Sequence, residues 1–568
     1  MKKQTIKVLT LLVVAGSFAT GCQLLKDVEY TATPDPLEMH GDSVRVKVDI
    51  VFPEKGINKK AAVEITPMLG NVTLNTVRIQ GEKATGNGNV IQYKAGGKVT
   101  FEDIVAYSPE MEVSELSVTG KIYKGEKEKG EIEQTKVADA TIITPLLVNK
   151  DFKVILANDE FRRVTEESFM AQINFDKGKH NVKASEMKQD DIKAYEAFLA
   201  EAQNNPKIEV KAVNVVGFAS PEGEEDKNNT LSTDRATAGK ETSAKVAKKA
   251  MHEAAQAEDM AGNHTGSGED YPGFKRELEA DQTMNEDEKN LVLRILDTES
   301  DPVRREQAMR DLGKSFTYLD KQIFPKLRRA EITAVYDETG FSDEELKANS
   351  VSNPDTLNLE ELLFCATLYD DLNEKLRVYK IAEGRYPDDY RTSNNVGAVL
   401  YMQNKVSEAK AKFEKANGVQ DNAISKNNLG AVAGVEGDRT KSMDLLNQAS
   451  GAGSEVSYNK GILNILDGNY SDAVSNLGSD ASFNKALAEI LNGSASTGSS
   501  TIDASADAET AQGYYLKAIA AAREDKLDSA VNNLKSAIAK DGGCKAQAAK
   551  DREFLKYAEN ATFSALIK

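Results

Sequence analysis

The chain has 568 residues, 40% hydrophobic and 29% charged, enough for about three to four domains with real cores. Its formal net charge of −18 argues against a nucleic-acid partner, because phosphate binding needs clustered Lys and Arg. Four His, no Trp and three Cys do not supply the usual zinc patterns, nucleophile–His dyads or a disulfide framework, so no metal, cofactor or catalytic residue is expected, and the chain is read as not an enzyme.

Residues 1–21 read as a signal peptide: Lys2, Lys3 and Lys7 form a basic start, and the apolar run Val8 to Phe18 is too short for about 30 Å of hydrocarbon. The end of that segment, Ala19-Thr20-Gly21-Cys22, resembles a bacterial lipobox, with Ala19 in place of the commoner Leu. The resemblance implies acylation, palmitate included, at Cys22, and several acyl chains at roughly 0.8 kcal/mol per buried CH₂ hold a protein at a membrane. No later apolar run is long enough to span a bilayer, so the rest of the chain is expected to be soluble and tethered.

Residues 22–149 alternate. Val44, Val46, Val48, Ile50 and Phe52 interleave with Arg45, Lys47 and Asp49, the period-two pattern of a half-buried strand. Shorter alternating runs at Ala62 to Thr66, Val72 to Ile79, Val99 to Ile104, Leu116 to Tyr123 and Thr135 to Ile143 predict an antiparallel, immunoglobulin-like β-sandwich without its disulfide. Gly86-Asn87-Gly88 reads as a hairpin turn rather than a phosphate cradle, since no helix follows it.

Residues 150–340 change period. Ile173 and Phe175 end a short strand, and Ile192, Tyr195, Phe198, Leu199 and Ala202 share one helical face. From Ile208 to Val216 both sides are apolar, which predicts a strand buried on both faces. Next come Gly217-Phe218-Ala219-Ser220-Pro221-Glu222-Gly223, Asn228 and Leu231-Ser232-Thr233-Asp234-Arg235-Ala236. This region resembles the OmpA-like peptidoglycan-binding family, whose motif runs Gly-x-Thr-Asp-x-x-Gly, Asn, Leu-Ser-x-x-Arg-Ala; Leu327 to Ile332 is similar to its closing strand. The resemblance implies an α/β fold of βαβαβ order that holds the peptidoglycan stem peptide. Arg235 would grip a diaminopimelate carboxylate, with Gly217, Gly223 and Asn228 shaping the loop. The family's Thr-Asp pair is Ala219-Ser220 here, so the acid that takes the ligand's ammonium group is missing. That loss forfeits on the order of 1.5–3 kcal/mol unless Glu222 supplies the charge. A helical insertion follows, with helices expected at Glu286 to Ile295 and Val303 to Leu312, and the family's third strand is not evident in it.

Residues 357–568 repeat. Asn395-Val396-Gly397, Asn428-Leu429-Gly430 and Asn459-Lys460-Gly461 recur at a period near 34 residues, the mark of stacked helix pairs. Each Gly is followed at one register by Ala409, Ser442 or Ala473 and then by Phe413, Leu446 or Leu477. A later copy aligns on Ala518, Ala530, Leu534 and Ala537, and Gly493 to Ala506 reads as a loop. The pattern resembles the tetratricopeptide repeat (TPR), which implies an all-α solenoid with a concave protein-binding face on which Asn395, Asn428 and Asn459 hold ligand. Cys365 and Cys544 read as small buried hydrophobes.

Together these readings give a multidomain lipoprotein of a Gram-negative envelope, anchored in the outer membrane with its periplasmic face favoured. It is read as a tether and scaffold that binds peptidoglycan and, through its repeats, envelope proteins. One alternative is a surface-exposed subunit of a fimbrial, secretion or outer-membrane assembly machine whose OmpA-like domain no longer binds the wall. The other is a cell-wall-acting enzyme using the carboxylates of Glu222 to Asp226.

Overall fold

The computed structural model describes residues 24–251 and 261–568; the expected signal peptide and Cys22 lie outside the described residues. Two compact units are present, residues 24–158 with 369–568, and residues 159–368. No helix among the described residues is long and apolar enough to cross a membrane.

The amino-terminal part of the first unit is β-rich, with strands β1 (Glu29–Ala32), β2 (Met39–His40), β3 (Ser43–Phe52), β4 (Ala61–Leu69), β5 (Val72–Thr73), β6 (Val77–Gly81), β7 (Asn89–Ile91), β8 (Gly97–Ala106), β9 (Ser114–Lys124) and β10 (Lys127–Ala140). One sheet runs β1-β3-β2 with β8 along the other edge of β3; the second runs β10-β9-β4-β6-β7. Val44, Val46, Val48 and Ile50 are fully buried together with Val63, Ile65 and Val118, as the alternation of β3 predicts. The expected all-antiparallel arrangement is corrected at one place, because β6 and β7 pair in parallel. Gly86-Asn87-Gly88 is therefore a crossing loop and not a hairpin turn. The buried Gln80 amide holds it, donating to the Gly86 carbonyl at 3.1 Å and accepting from the Gly88 N–H at 3.0 Å.

The carboxyl-terminal part of this unit is an all-α repeat. Among the described residues, five helix pairs follow one another: Tyr390–Met402 with Val406–Val419, Ala423–Glu436 with Arg439–Gln448, Ser454–Leu466 with Tyr470–Asn476, Phe483–Leu491 with Ala495–Asp503, and Ala511–Arg523 with Leu527–Lys540. Caps fix several starts: the side chains of Asp389, Asn422, Asp438, Ser482 and Thr510 each accept a first-turn N–H. The recurrent glycines permit close helix approach, since a Cβ on Gly397 would stand 2.8 Å from the Phe413 ring, and one on Gly461 2.5 Å from Leu477. The Ser- and Gly-rich stretch read as a loop forms the helix Ala495–Asp503, where Gly498 packs against Ile490 and Ala486.

The β-rich part and the repeat meet through ion pairs. Arg439 grips Asp42 with both terminal nitrogens, at 2.6 and 3.0 Å, and Arg523 bridges Glu38 and the buried Glu553.

The second unit is α/β. Strands β11 (Val164–Asn174), β12 (Ile208–Ala219), β13 (Ala261–Glu269) and β14 (Arg329–Thr339) form a sheet in the order β11-β14-β12-β13, with β12 and β13 parallel and the other pairs antiparallel. Helices α1 (Asp190–Asn204) and α2 (Glu225–Ala250) pack on it, burying Ile192, Tyr195 and Leu199 against Ile173, Val215 and Ile332. Three expectations are corrected. The first strand is long, eleven residues. The two-sided apolar pattern of β12 comes from a register shift between Val210 and Ala212, a bulge that reverses the alternation. Ile208 and Val210 before it and Val213 and Val215 after it thus join one core. A third strand does exist: β13 is rich in glycine because helix α2 lies almost on its backbone, a Cβ on Gly266 falling 2.4 Å from the Thr233 nitrogen.

The insertion between β13 and β14 folds around its own core of Phe274, Leu278, Val292, Met309, Ile323 and Phe324. Both ends of the unit are tied together, with Phe161 stacked on Phe364 at 4.5 Å and Arg163 paired with Asp343.

Candidate functional site

The three asparagines singled out by the repeat period lie on the first helices of successive pairs, all with no exposed surface. They hold the chain's own residues 153–157, a segment assigned by sequence to the central domain. At Lys153, the N–H donates to Asn459 Oδ1 at 2.7 Å and the carbonyl accepts from Nδ2 at 2.8 Å. Asn428 does the same for Ile155, at 2.7 and 2.8 Å, and Asn395 for Ala157, at 2.7 and 2.9 Å. The alternate residues of an extended backbone therefore meet the repeat one clamp at a time.

Sequence reasoning missed three members of this row. Asn484 clamps Asn149 with bonds of 2.8 Å in both directions. Asn394 and Asn427 stand next to the predicted residues and add second donors, at 3.1 Å each, to the carbonyls of Ile155 and Lys153. The amides also bond to one another, Asn428 to Asn394 at 3.0 Å and Asn459 to Asn427 at 3.1 Å. The doublets Asn394-Asn395 and Asn427-Asn428 were a visible signal. Asn484 was not, because the helix Tyr470–Asn476 is short and breaks the period.

Side chains of the segment add to the hold. The Phe152 ring lies over Gly434, where a Cβ would come within 2.5 Å of it, and the Tyr401 hydroxyl donates to the Phe152 carbonyl at 3.0 Å. Asp151 accepts from the Tyr458 hydroxyl at 2.8 Å, and burial together with that carboxylate pushes the phenol well above its ordinary range.

The residues that sequence singled out between Gly217 and Arg235 gather in the second unit around a cleft of about 650 Å³, whose wall includes Lys177, His180, Ser220, Glu222, Asn228, Asp234 and Arg235. Arg235 is 1% exposed. Its guanidinium donates to three carbonyls, of Phe218 at 2.8 Å, Lys179 at 3.1 Å and Asp176 at 3.3 Å. Burial pushes its pKa down to about 10, with nearby Arg328 adding to the shift and Glu222 opposing it. Glu222 is held by Arg328 through two bonds, at 2.9 and 2.7 Å, and Arg328 also donates to Ser220 Oγ at 3.2 Å and to Asp320 at 3.0 Å. The Asn228 amide donates to the carbonyls of Ser220 and Gly223 and to Glu269 at 2.7 Å. Gly217 lets α2 cross β12, its absent Cβ being 2.0 Å from the Ser232 carbonyl oxygen.

In the carboxylate run after Glu222, Glu224 pairs with Lys227 at 3.0 Å, while Glu225 and Asp226 occupy the first turn of α2, where acids favour the helix dipole. Cys365 and Cys544 are both buried and form no disulfide; burial pushes the Cys544 thiol up.

No protein-family model matches the chain, and no curated protein matches it. Solved structures of tetratricopeptide-repeat proteins are similar to it over the helical half. A repeat protein from Parabacteroides merdae is 15% identical, with 38% of this chain and 91% of that one covered and a TM-score of 0.28. YrrB, described as a TPR protein with an unusual peptide-binding site, is 20% identical over 30% of this chain and 97% of its own, with a TM-score of 0.25. Yeast Tom70 is 10% identical over 50% of this chain and 68% of its own, with a TM-score of 0.26.

Proposed function

We propose that this chain is a non-enzymatic envelope tether and scaffold, anchored in the outer membrane through an acylated Cys22, whose helical repeat holds extended polypeptide. The observation that carries the reading is the Asn row, in which four amides each take the N–H and carbonyl of one residue of an extended segment. An amide is the one uncharged side chain that offers a donor and an acceptor side by side, so it matches a peptide unit whatever side chain that unit carries. The lipobox-like Ala19 to Cys22 supports the anchor. Replacing Cys22 with Ala should move the protein from membrane to soluble fractions. Tight association of that variant with membranes in high salt and carbonate contradicts the anchor.

A second reading concerns the 159–368 unit. Its βαβαβ order and the position of Arg235 under the cleft support a peptidoglycan stem peptide as ligand. The engagement of Glu222 by Arg328, with Ser220 at the family's acid position, supports instead a fimbrial, secretion or assembly-machine subunit that does not bind the wall, because neither residue offers a free carboxylate to a ligand ammonium. Pelleting of the full chain with purified sacculi decides between them, and protease accessibility on intact cells decides which face of the membrane carries it.

A further inference from the structure

We propose that residues 149–157 are a built-in occupant that closes the Asn row, and that another extended strand binds there only by displacing them. The proposal rests on the reading of the repeat as a holder of extended polypeptide.

The row has no capacity left for a second strand. Asn395, Asn428, Asn459 and Asn484 each use both amide groups on the segment, and all are 0% exposed. The carbonyls of Lys153 and Ile155 each already accept two N–H groups, which fills both lone pairs. A ligand added on top of the segment would meet satisfied groups.

The occupant is nevertheless held in a way that a competitor can reproduce. Residues 149–157 belong to no helix and pair with no strand; their clamps address main-chain atoms, which every polypeptide carries. The elements specific to this sequence are side chains, chiefly the Phe152 ring over Gly434 and the Asp151 carboxylate that accepts from the Tyr458 hydroxyl. The chemistry of a displacing ligand follows: an extended strand with an aromatic residue placed to cover Gly434 and, from the next position on, alternate residues facing Asn459, Asn428 and Asn395.

Exchange is measured with the purified full chain and a fluorescent peptide having the sequence of residues 148–158. Phe152→Ala removes the ring and leaves every clamp in place; Ile155→Pro removes the N–H that Asn428 accepts. Both variants should bind the peptide at least tenfold more tightly than the unaltered chain, and Asn428→Asp, which cannot donate to the strand carbonyl, should abolish the gain in either background. If the unaltered chain binds as tightly as the variants, the closure is overturned while the polypeptide-holding reading stands. If either variant keeps its helical circular dichroism and binds no peptide, both fall.

Discussion

Asn428 holds Ile155 with both ends of one amide, Oδ1 accepting the N–H at 2.7 Å and Nδ2 donating to the carbonyl at 2.8 Å. The two residues are 273 positions apart in sequence, and the bond between them joins the segment after the β-rich part to the second helix pair. Asn428→Ala leaves the half-buried Ile155 N–H without its partner, while the Ile155 carbonyl keeps its bond from Asn394. An orphaned polar group costs about 1–3 kcal/mol when fully buried, and urea denaturation followed at the helical band should register a loss toward the lower end of that range.

The glycine registers make an opposed pair of substitutions. Gly461→Ala forces a Cβ to 2.5 Å from the Leu477 side chain, and such overpacking costs about 1–3 kcal/mol. Gly384, in the helix Leu372–Arg385 with open space at its Cβ position, should gain up to about 1 kcal/mol on replacement by Ala. Thermal midpoints of the two variants should therefore move in opposite directions.

A pH dependence follows from Asp551, which burial and the neighbouring Glu553 carboxylate raise from 3.8 to about 6. The proton is held more tightly in the folded state, so the stabilising contribution is present below about pH 4 and is lost as the pH rises through about 6. The difference is worth ~3 kcal/mol. Asp551→Asn keeps an oxygen for the Glu553 N–H that Asp551 caps and removes the titration. It should raise the midpoint at pH 7 and flatten its rise between pH 7 and 4.

In the second unit, Glu222→Gln breaks a charge pair whose members are 7% and 8% exposed. Leaving a buried charge uncompensated costs about 3–5 kcal/mol, and Asp320, still 3.0 Å from Arg328, reduces the loss below that range. Ser220→Asp places its carboxylate beside Arg328, in competition with Glu222. Sacculus pelleting should therefore not improve in this variant; a clear gain would mean that the new acid faces the cleft.

Much of the architecture was legible where a single period repeats without interruption. The alternation of β3, the Gly and plug positions of the first three repeats, and the sequence from Gly217 to Ala236 each marked an element that exists. What escaped had a physical reason in each case. The bulge in β12 mixed two faces into one apolar run, and β13 carries glycines because a helix presses on it, which leaves no β-forming side chains to read. The Asn row was half legible: residues at one register pointed to Asn395, Asn428 and Asn459, but their occupant is an aperiodic stretch far away in sequence. Asn pairs that clamp backbone leave no complementary pattern in the segment they clamp, whose side-chain contacts through Asp151 and Phe152 follow no period.

Hydrogen exchange at the amides of Lys153, Ile155 and Ala157 in the unaltered chain tests the central claim most directly, since each donates to a fully buried Asn oxygen. The account predicts protection on the scale of the repeat helices, at least a hundredfold slower than an unstructured peptide. Exchange at the free-peptide rate would mean that the segment does not occupy the row in solution, and would contradict it.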